Sequence, residues 1–255
     1  MSLDLIRLAF FDTPVHEASA AVVLRVLEAH GLENVELITG SKAGLLKELV
    51  AGQIDIFSTV WLPDIHRDML NQIPYIRQLG NLYQPFSFFA LSKNFQNKIH
   101  SFDQIGAFAE LNQTVVVPET LYDYAYYVFQ KHGFLEKGFL LQNATEEEAF
   151  ASYNETINFK LPNLMVLSQP SIIASSEFIF SLELASPFQL NEHKAAILIQ
   201  ESSITCFDED LLDELGAVTL GNQVLKLMEQ AIRFDGMDCH EAAEAWQRGK
   251  LITRI

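Results

Sequence analysis

Cysteine is nearly missing from this chain: among 255 residues there are two, Cys206 and Cys239. They lack C-x-x-C spacing, which excludes a disulfide framework and a thiolate metal site and leaves two buried thiols as the expectation. Cations are scarce as well. Lys and Arg together number 17 against 33 Asp and Glu, a net charge of -16. A surface of that sign repels phosphate backbones and anionic head groups, so nucleic acid is excluded as a partner. No apolar run reaches the roughly 20 residues that a membrane-spanning helix needs. No signal peptide stands at the start either: Met1-Ser2-Leu3 leads almost directly into the first strand. That opening suits a chain trimmed or processed, with a native cytoplasmic start as the alternative.

Catalytic signatures are equally sparse. There is no G-x-S-x-G elbow, no Walker loop and no G-x-G-x-x-G turn. His240-Glu241-x-x-Glu244 lacks the second histidine of a zinc-protease helix and reads as a solvated acidic face. The expectation is a protein without enzymatic activity, metal or cofactor. Arginine is also unevenly spread: Arg7, Arg25, Arg67, Arg77, Arg233, Arg248 and Arg254 leave none between residues 78 and 232. A binding site for dicarboxylates or oxyanions commonly uses an arginine fork, so this gap favours a cationic, zwitterionic or neutral ligand.

What is present is an alternation of strand and helix patterns with short punctuated connections, the sign of an α/β fold. Leu5 to Phe10 reads as a strand, and Thr13-Pro14 then caps a helix running to about His30 before Gly31. Val35 to Ile38 is a second strand. Ser41 caps a helix with the apolar face Leu45, Leu46 and Leu49, Gly52 closes it, and a third strand delivers Trp61 to the carboxyl edge of a sheet. A similar unit recurs from Thr114 to Leu167 and ends at Ser168-Gln169-Pro170, as the first ends at Trp61-Leu62-Pro63. Tyr83 to Leu91 and Ala195 to Gln200 read as two crossings between the halves. The expected organisation is two lobes, 1–86 with 191–255 and 87–190, hinged around a cleft.

Open α/β sheets hold small ligands outside the carboxyl ends of their strands, which makes Trp61 a candidate ligand surface. Tyr122, the first of four tyrosines on a helix expected to be capped by Thr120, is a second candidate ring. His16 beside Glu17 offers polar contact or proton chemistry, and His66 with Arg67 reads as a solvated helix face.

Phe11-Asp12 with the helix after it, Leu45 through Pro63 with Ile54-Asp55-Ile56 and Trp61-Leu62-Pro63, and the closing Cys239-His240-Glu241-Ala242-Ala243-Glu244-Ala245-Trp246 together resemble the OpuAC/ProX-like substrate-binding proteins of glycine betaine, choline and proline betaine ABC transporters. The resemblance implies a type II periplasmic-binding-protein fold with two mixed, mainly parallel sheets. It also implies an extracytoplasmic or periplasmic location, ABC permease subunits as partners, and a quaternary ammonium held against aromatic faces. Phe11 stands where that family has its first tryptophan, and Trp61 keeps the second. Ser168-Gln169-Pro170-Ser171 occupies the place of the family's Trp-x-Pro-His. The residues this implies for the ligand are Phe11, Trp61 and Tyr122 as walls, with Thr13, His16, Ser168 and Gln169 as polar contacts. A cytoplasmic enzyme or biosynthetic protein reusing the same clamp is the alternative, and a ligand-sensing regulatory module is disfavoured because no DNA-binding helix pair is present.

Overall fold

Thr13 begins the first helix by the expected means: its backbone is extended and its side chain accepts the His16 backbone N–H, with Pro14 supplying a preset φ at the next position. The computed structural model describes residues 5–73, 75–185 and 193–251. In chain order the elements are β1 (Ile6–Phe11), α1 (Pro14–Ala29), β2 (Val35–Gly40), α2 (Lys42–Val50), β3 (Ile56–Leu62), α3 (Arg67–Asn71) and β4 (Ile76–Leu79). Next come β5 (Phe86–Ser92), β6 (Thr114–Pro118), α4 (Tyr122–Lys131), β7 (Leu140–Ala144), α5 (Glu146–Phe159), β8 (Met165–Gln169) and β9 (Ile179–Ser181). The chain closes with β10 (Lys194–Gln200), α6 (Glu201–Ile204), α7 (Glu209–Ala217), α8 (Asn222–Phe234) and α9 (Cys239–Gln247). None of the helices described is long and apolar enough to cross a membrane.

The chain divides into two compact units, Met1–Pro85 with Glu192–Ile255, and Phe86–Asn191. The lobe boundary that the sequence places between residues 190 and 191 lies outside the described residues, while Ala195 to Gln200, expected as the return crossing, lies within β10. In the first unit a five-stranded sheet runs β2-β1-β3-β10-β4, with β1 parallel to both neighbours and β10 antiparallel to β3 and β4. Helix α1 is buried along most of its length because β1 and β3 lie on one side of it and α8 and α9 on the other. On α2, Leu45 and Leu49 face a core with Phe57, Val60 and Leu62 of β3.

Strand β3 carries one irregularity. Phe57 pairs with Leu198 and Val60 with Ala196, so Ser58 and Thr59 together stand opposite Ile197, two residues against one. Such a bulge shifts the in-and-out alternation of every side chain beyond it, Trp61 included.

The second unit is built differently from the first. Strands β8-β5-β9 form an antiparallel trio and β6-β7 a parallel pair. The α/β class with helix-flanked sheets holds, but the expectation of a mainly parallel sheet gives way here, because β5 enters directly from the first unit and not through a strand-helix-strand crossover. An aromatic core fills this unit. Phe89, Phe102, Phe129 and Phe134 are buried, and Phe102 lies 4.2 Å from Phe89, 5.5 Å from Phe129 and 5.4 Å from Phe134, centroid to centroid.

The polar anchor of the first unit is Asp55, just before β3. Its carboxylate accepts the Arg7 backbone N–H (2.9 Å), Arg7 Nε (2.9 Å), Arg7 Nη2 (3.1 Å) and the Ser203 hydroxyl (2.8 Å). Burial by itself would raise this carboxyl's pKa, and the bonds from Arg7 and Ser203 override it and bring the group below its ordinary value. β1, β3 and the start of α6 are tied through one side chain. Asp55→Ala removes all four acceptor contacts and is expected to lower stability by about 2–4 kcal/mol, read as a shifted midpoint in urea unfolding.

Candidate functional site

The carboxyl ends of β1 and β3, with the first turn of α1, gather a cluster of rings in the first unit. Phe11 closes β1, Trp61 is the penultimate residue of β3, His16 is the third residue of α1, and His66 follows β3 by four residues. Centroid distances are 5.2 Å for His16–Trp61 and 5.9 Å for Trp61–His66, both stacked, and 4.6 Å for Phe11–His66 and 5.1 Å for Phe11–His16. All four side chains are buried, Trp61 at 3% exposure.

Hydrogen bonds fix the ring edges. The Trp61 indole Nε1–H donates to the Tyr83 hydroxyl at 2.9 Å, and the Trp61 backbone N–H donates to His66 Nδ1 at 2.8 Å. Because Nδ1 of His66 is an acceptor, the ring proton sits on Nε2. That Nε2 is buried without a hydrogen-bond partner, and so is Nε2 of His16, whose Nδ1 lies 2.8 Å from the Thr13 hydroxyl. An unpaired buried polar group of this kind costs about 1–3 kcal/mol, so two of them beside one indole require an explanation.

Both imidazoles are neutral. Burial depresses the pKa of His16 to about 3. Burial also takes His66 well below its ordinary value, with the nearby His16, Lys42 and His193 acting in the same direction. For Tyr83, burial raises the phenol to about 12 against hydrogen bonds that lower it, Trp61 first among them. The cluster therefore offers ring faces, neutral nitrogens and a protonated phenol, with no formal charge of its own.

Of the residues singled out from sequence, Phe11, Thr13, His16 and Trp61 are brought together here. Tyr122, Ser168 and Gln169 belong to the second unit. Tyr122 is half-buried and stacks on Tyr126 at 6.4 Å, while Ser168 and Gln169 end β8 opposite Ser87 and Phe86 of β5.

Three expectations are corrected. Helix α4 has no side-chain cap; Thr120 gives its hydroxyl to Glu146 Oε1 at 2.5 Å. His66 is not on a solvated face but fully buried, held by the Trp61 backbone, whereas Arg67 is exposed. Cys206 is only half-buried; Cys239 is buried, and burial together with Glu17 pushes its thiol up to about 12. His66 and Tyr83 are the members of the cluster that sequence reasoning missed. Only the five-residue spacing from Trp61 to His66 hinted at one of them.

The chain matches, over residues 4–248, the family model described as the substrate binding domain of the ABC-type glycine betaine transport system. Among solved structures it is similar to lactococcal OpuAC in its closed, liganded form complexed with glycine betaine, at TM-score 0.82 and 14% identity, covering 96% of this chain and 95% of that one. It is likewise similar to the glycine betaine/L-proline-binding protein ProX from Borrelia burgdorferi, at TM-score 0.82 and 16% identity, covering 96% and 93%. A third likeness is to an ABC-transporter choline binding protein in complex with choline, at TM-score 0.82 and 17% identity, covering 96% and 88%. At these identities the likeness shows the fold. No curated protein sequence matches the chain.

The neutral histidines give a pH signature. Below its ordinary value of 6.5, His16 takes up a proton in the unfolded chain but not in the folded one until about pH 3. The unfolded state thus binds more protons across that window, and stability falls as the pH drops through it by up to about 1.4 kcal/mol per unit for each such group. Urea unfolding at pH 7, 6 and 5 is expected to show this decline, and His16→Asn to lessen its slope by about one proton's worth.

Proposed function

The chain belongs to the OpuAC family of substrate-binding domains, and from that premise we propose that it binds a small quaternary-amine or related zwitterionic or cationic solute for an ABC-type importer, with Trp61 and its histidine neighbours at the binding surface. The carrying observation is the pair of buried imidazoles whose Nε2 atoms lack partners beside Trp61. Burying a polar nitrogen without a partner is unfavourable unless a bound molecule completes it, and a solute with a carboxylate or hydroxyl oxygen would accept from His66 Nε2–H.

The charge state of the cluster supports the same class of solute. A trimethylammonium head has no N–H to donate and is held by aromatic faces, each worth about 0.5–2 kcal/mol. Neutral histidines do not repel it as imidazolium would, and the net charge of -16 favours the approach of a cation. Because the indole N–H is already given to Tyr83, Trp61 contributes its face and not a hydrogen bond. Phe11 adds the apolar wall and Thr13 orients His16. Tyr122, Ser168 and Gln169 enter the proposal from sequence alone. The reading is of a non-catalytic receptor, extracytoplasmic or periplasmic in location, handing its solute to permease subunits, as the family implies.

Titration calorimetry with glycine betaine, choline, carnitine and proline betaine tests it. At least one is expected to bind, and Trp61→Ala to weaken that binding by about 1–3 kcal/mol, roughly 5- to 150-fold. Absence of heat with all four, or unchanged affinity in the variant, would overturn the reading.

A further inference from the structure

A pocket of about 500 Å³ opens in the first unit, beside the turn that carries the chain from Trp61 to His66. Its floor is apolar, with Leu62 at the end of β3 and Leu70 of α3, and its walls come from α3, β4 and the start of β10. Among the described residues three nitrogen bases line it, Arg67, His193 and Lys194, and no carboxylate does. In a chain where acids outnumber cations 33 to 17, that composition is opposite to the surroundings. Arg67 and Lys194 are exposed, and neither takes part in an ion pair among the described residues.

The remaining polar wall also leans towards donation. Asn81 commits its side-chain oxygen to the Ala195 N–H at 3.2 Å, so what it can offer the pocket is its amide N–H groups. Gln78 and Asn71 add amides that adapt to either role. His193 supplies a separate observation. Its side chain is 1% exposed, and Nε2 is buried without a hydrogen-bond partner. Asp64 Oδ2 stands at ion-pair distance from it, 3.6 Å, longer than a hydrogen bond. An imidazole edge buried beside an open, cation-lined pocket is a place where a ligand oxygen completes an unfinished contact.

We propose that this pocket is a second binding site, for a small organic anion bearing several carboxylate or hydroxyl oxygens. The guanidinium of Arg67 and the ammonium of Lys194 meet the charge, with the amides of Asn81 and Gln78 and the edge of His193 taking further oxygens. The volume falls within the range usual for small-molecule sites, roughly 300–1,000 Å³, and exceeds what one inorganic oxyanion fills. Lys194 is placed by its pairing with Leu62, and Gln78 by its pairing with Leu198, so two of these contacts stand on the sheet and not on a loop.

The test is titration of the whole chain with citrate, and in parallel with inorganic phosphate, at low ionic strength. Citrate is expected to bind with a Kd below about 1 mM and phosphate about tenfold or more weaker. Arg67→Ala and Lys194→Ala, both exposed positions that leave the core intact, are each expected to weaken citrate about tenfold or more, and Gln78→Glu, which adds an opposing charge, to do the same. No binding of citrate, equal binding of phosphate, or citrate binding that all three variants leave unchanged would overturn the proposal. These probes and positions are distinct from those of the solute titration, so failure here leaves the solute reading standing.

Discussion

The bond from the Trp61 backbone N–H to Nδ1 of His66 is the contact on which the site's chemistry turns. It closes the chain back on the end of β3, sets the His66 ring over the indole at an interplanar angle of 30°, and forces the imidazole proton onto Nε2. Without that acceptor role His66 would be free to take either tautomer. With it, the ring presents a donor in a buried place where no acceptor among the described residues answers it. His16 reaches the same indole from α1, placed by a helix start whose cap residue, Thr13, also touches the ring. Backbone geometry thus determines side-chain protonation.

Burial does the rest of the electrostatic work. A chain this acidic would ordinarily favour protonated histidines, yet removing the rings from water costs the charged form more than distant carboxylates return. The cluster stays neutral while the surface is strongly negative. That division suits a site that attracts a cation at long range and holds it with ring faces at short range. Asp55 shows the opposite balance a few residues earlier: there four donors outweigh desolvation, and the carboxylate stays ionised while buried.

Much of the fold was legible because its signals are local. Thr13-Pro14 and Ser41 cap helices by contacts to backbone within three residues, and the Leu45/Leu49 spacing marks the buried face of α2. Trp61 and Phe11 were legible as candidates because each ends a strand of a recognisable β-α-β unit. The misreadings are where a distant partner won. Thr120 looks like a cap, but Glu146, 26 residues on, takes its hydroxyl. His66 looks solvated beside Arg67 and Asp64, but the turn after β3 folds it under Trp61. Tyr83 carries no motif, and only the packed first unit sets it against the indole.

By itself the sequence determined the α/β class, the starts of α1 and α2, the acidic surface and the pairing of a tryptophan with a strand end, since each follows from composition or from neighbours a few residues apart. Tertiary structure alone decided which rings meet, that both histidines are neutral, and that the second unit's strands split into an antiparallel trio and a parallel pair. The reason is physical: ring contact, desolvation and strand pairing depend on groups tens to hundreds of residues apart, brought together only by the folded chain, and no local spacing encodes the dielectric that a buried nitrogen will meet.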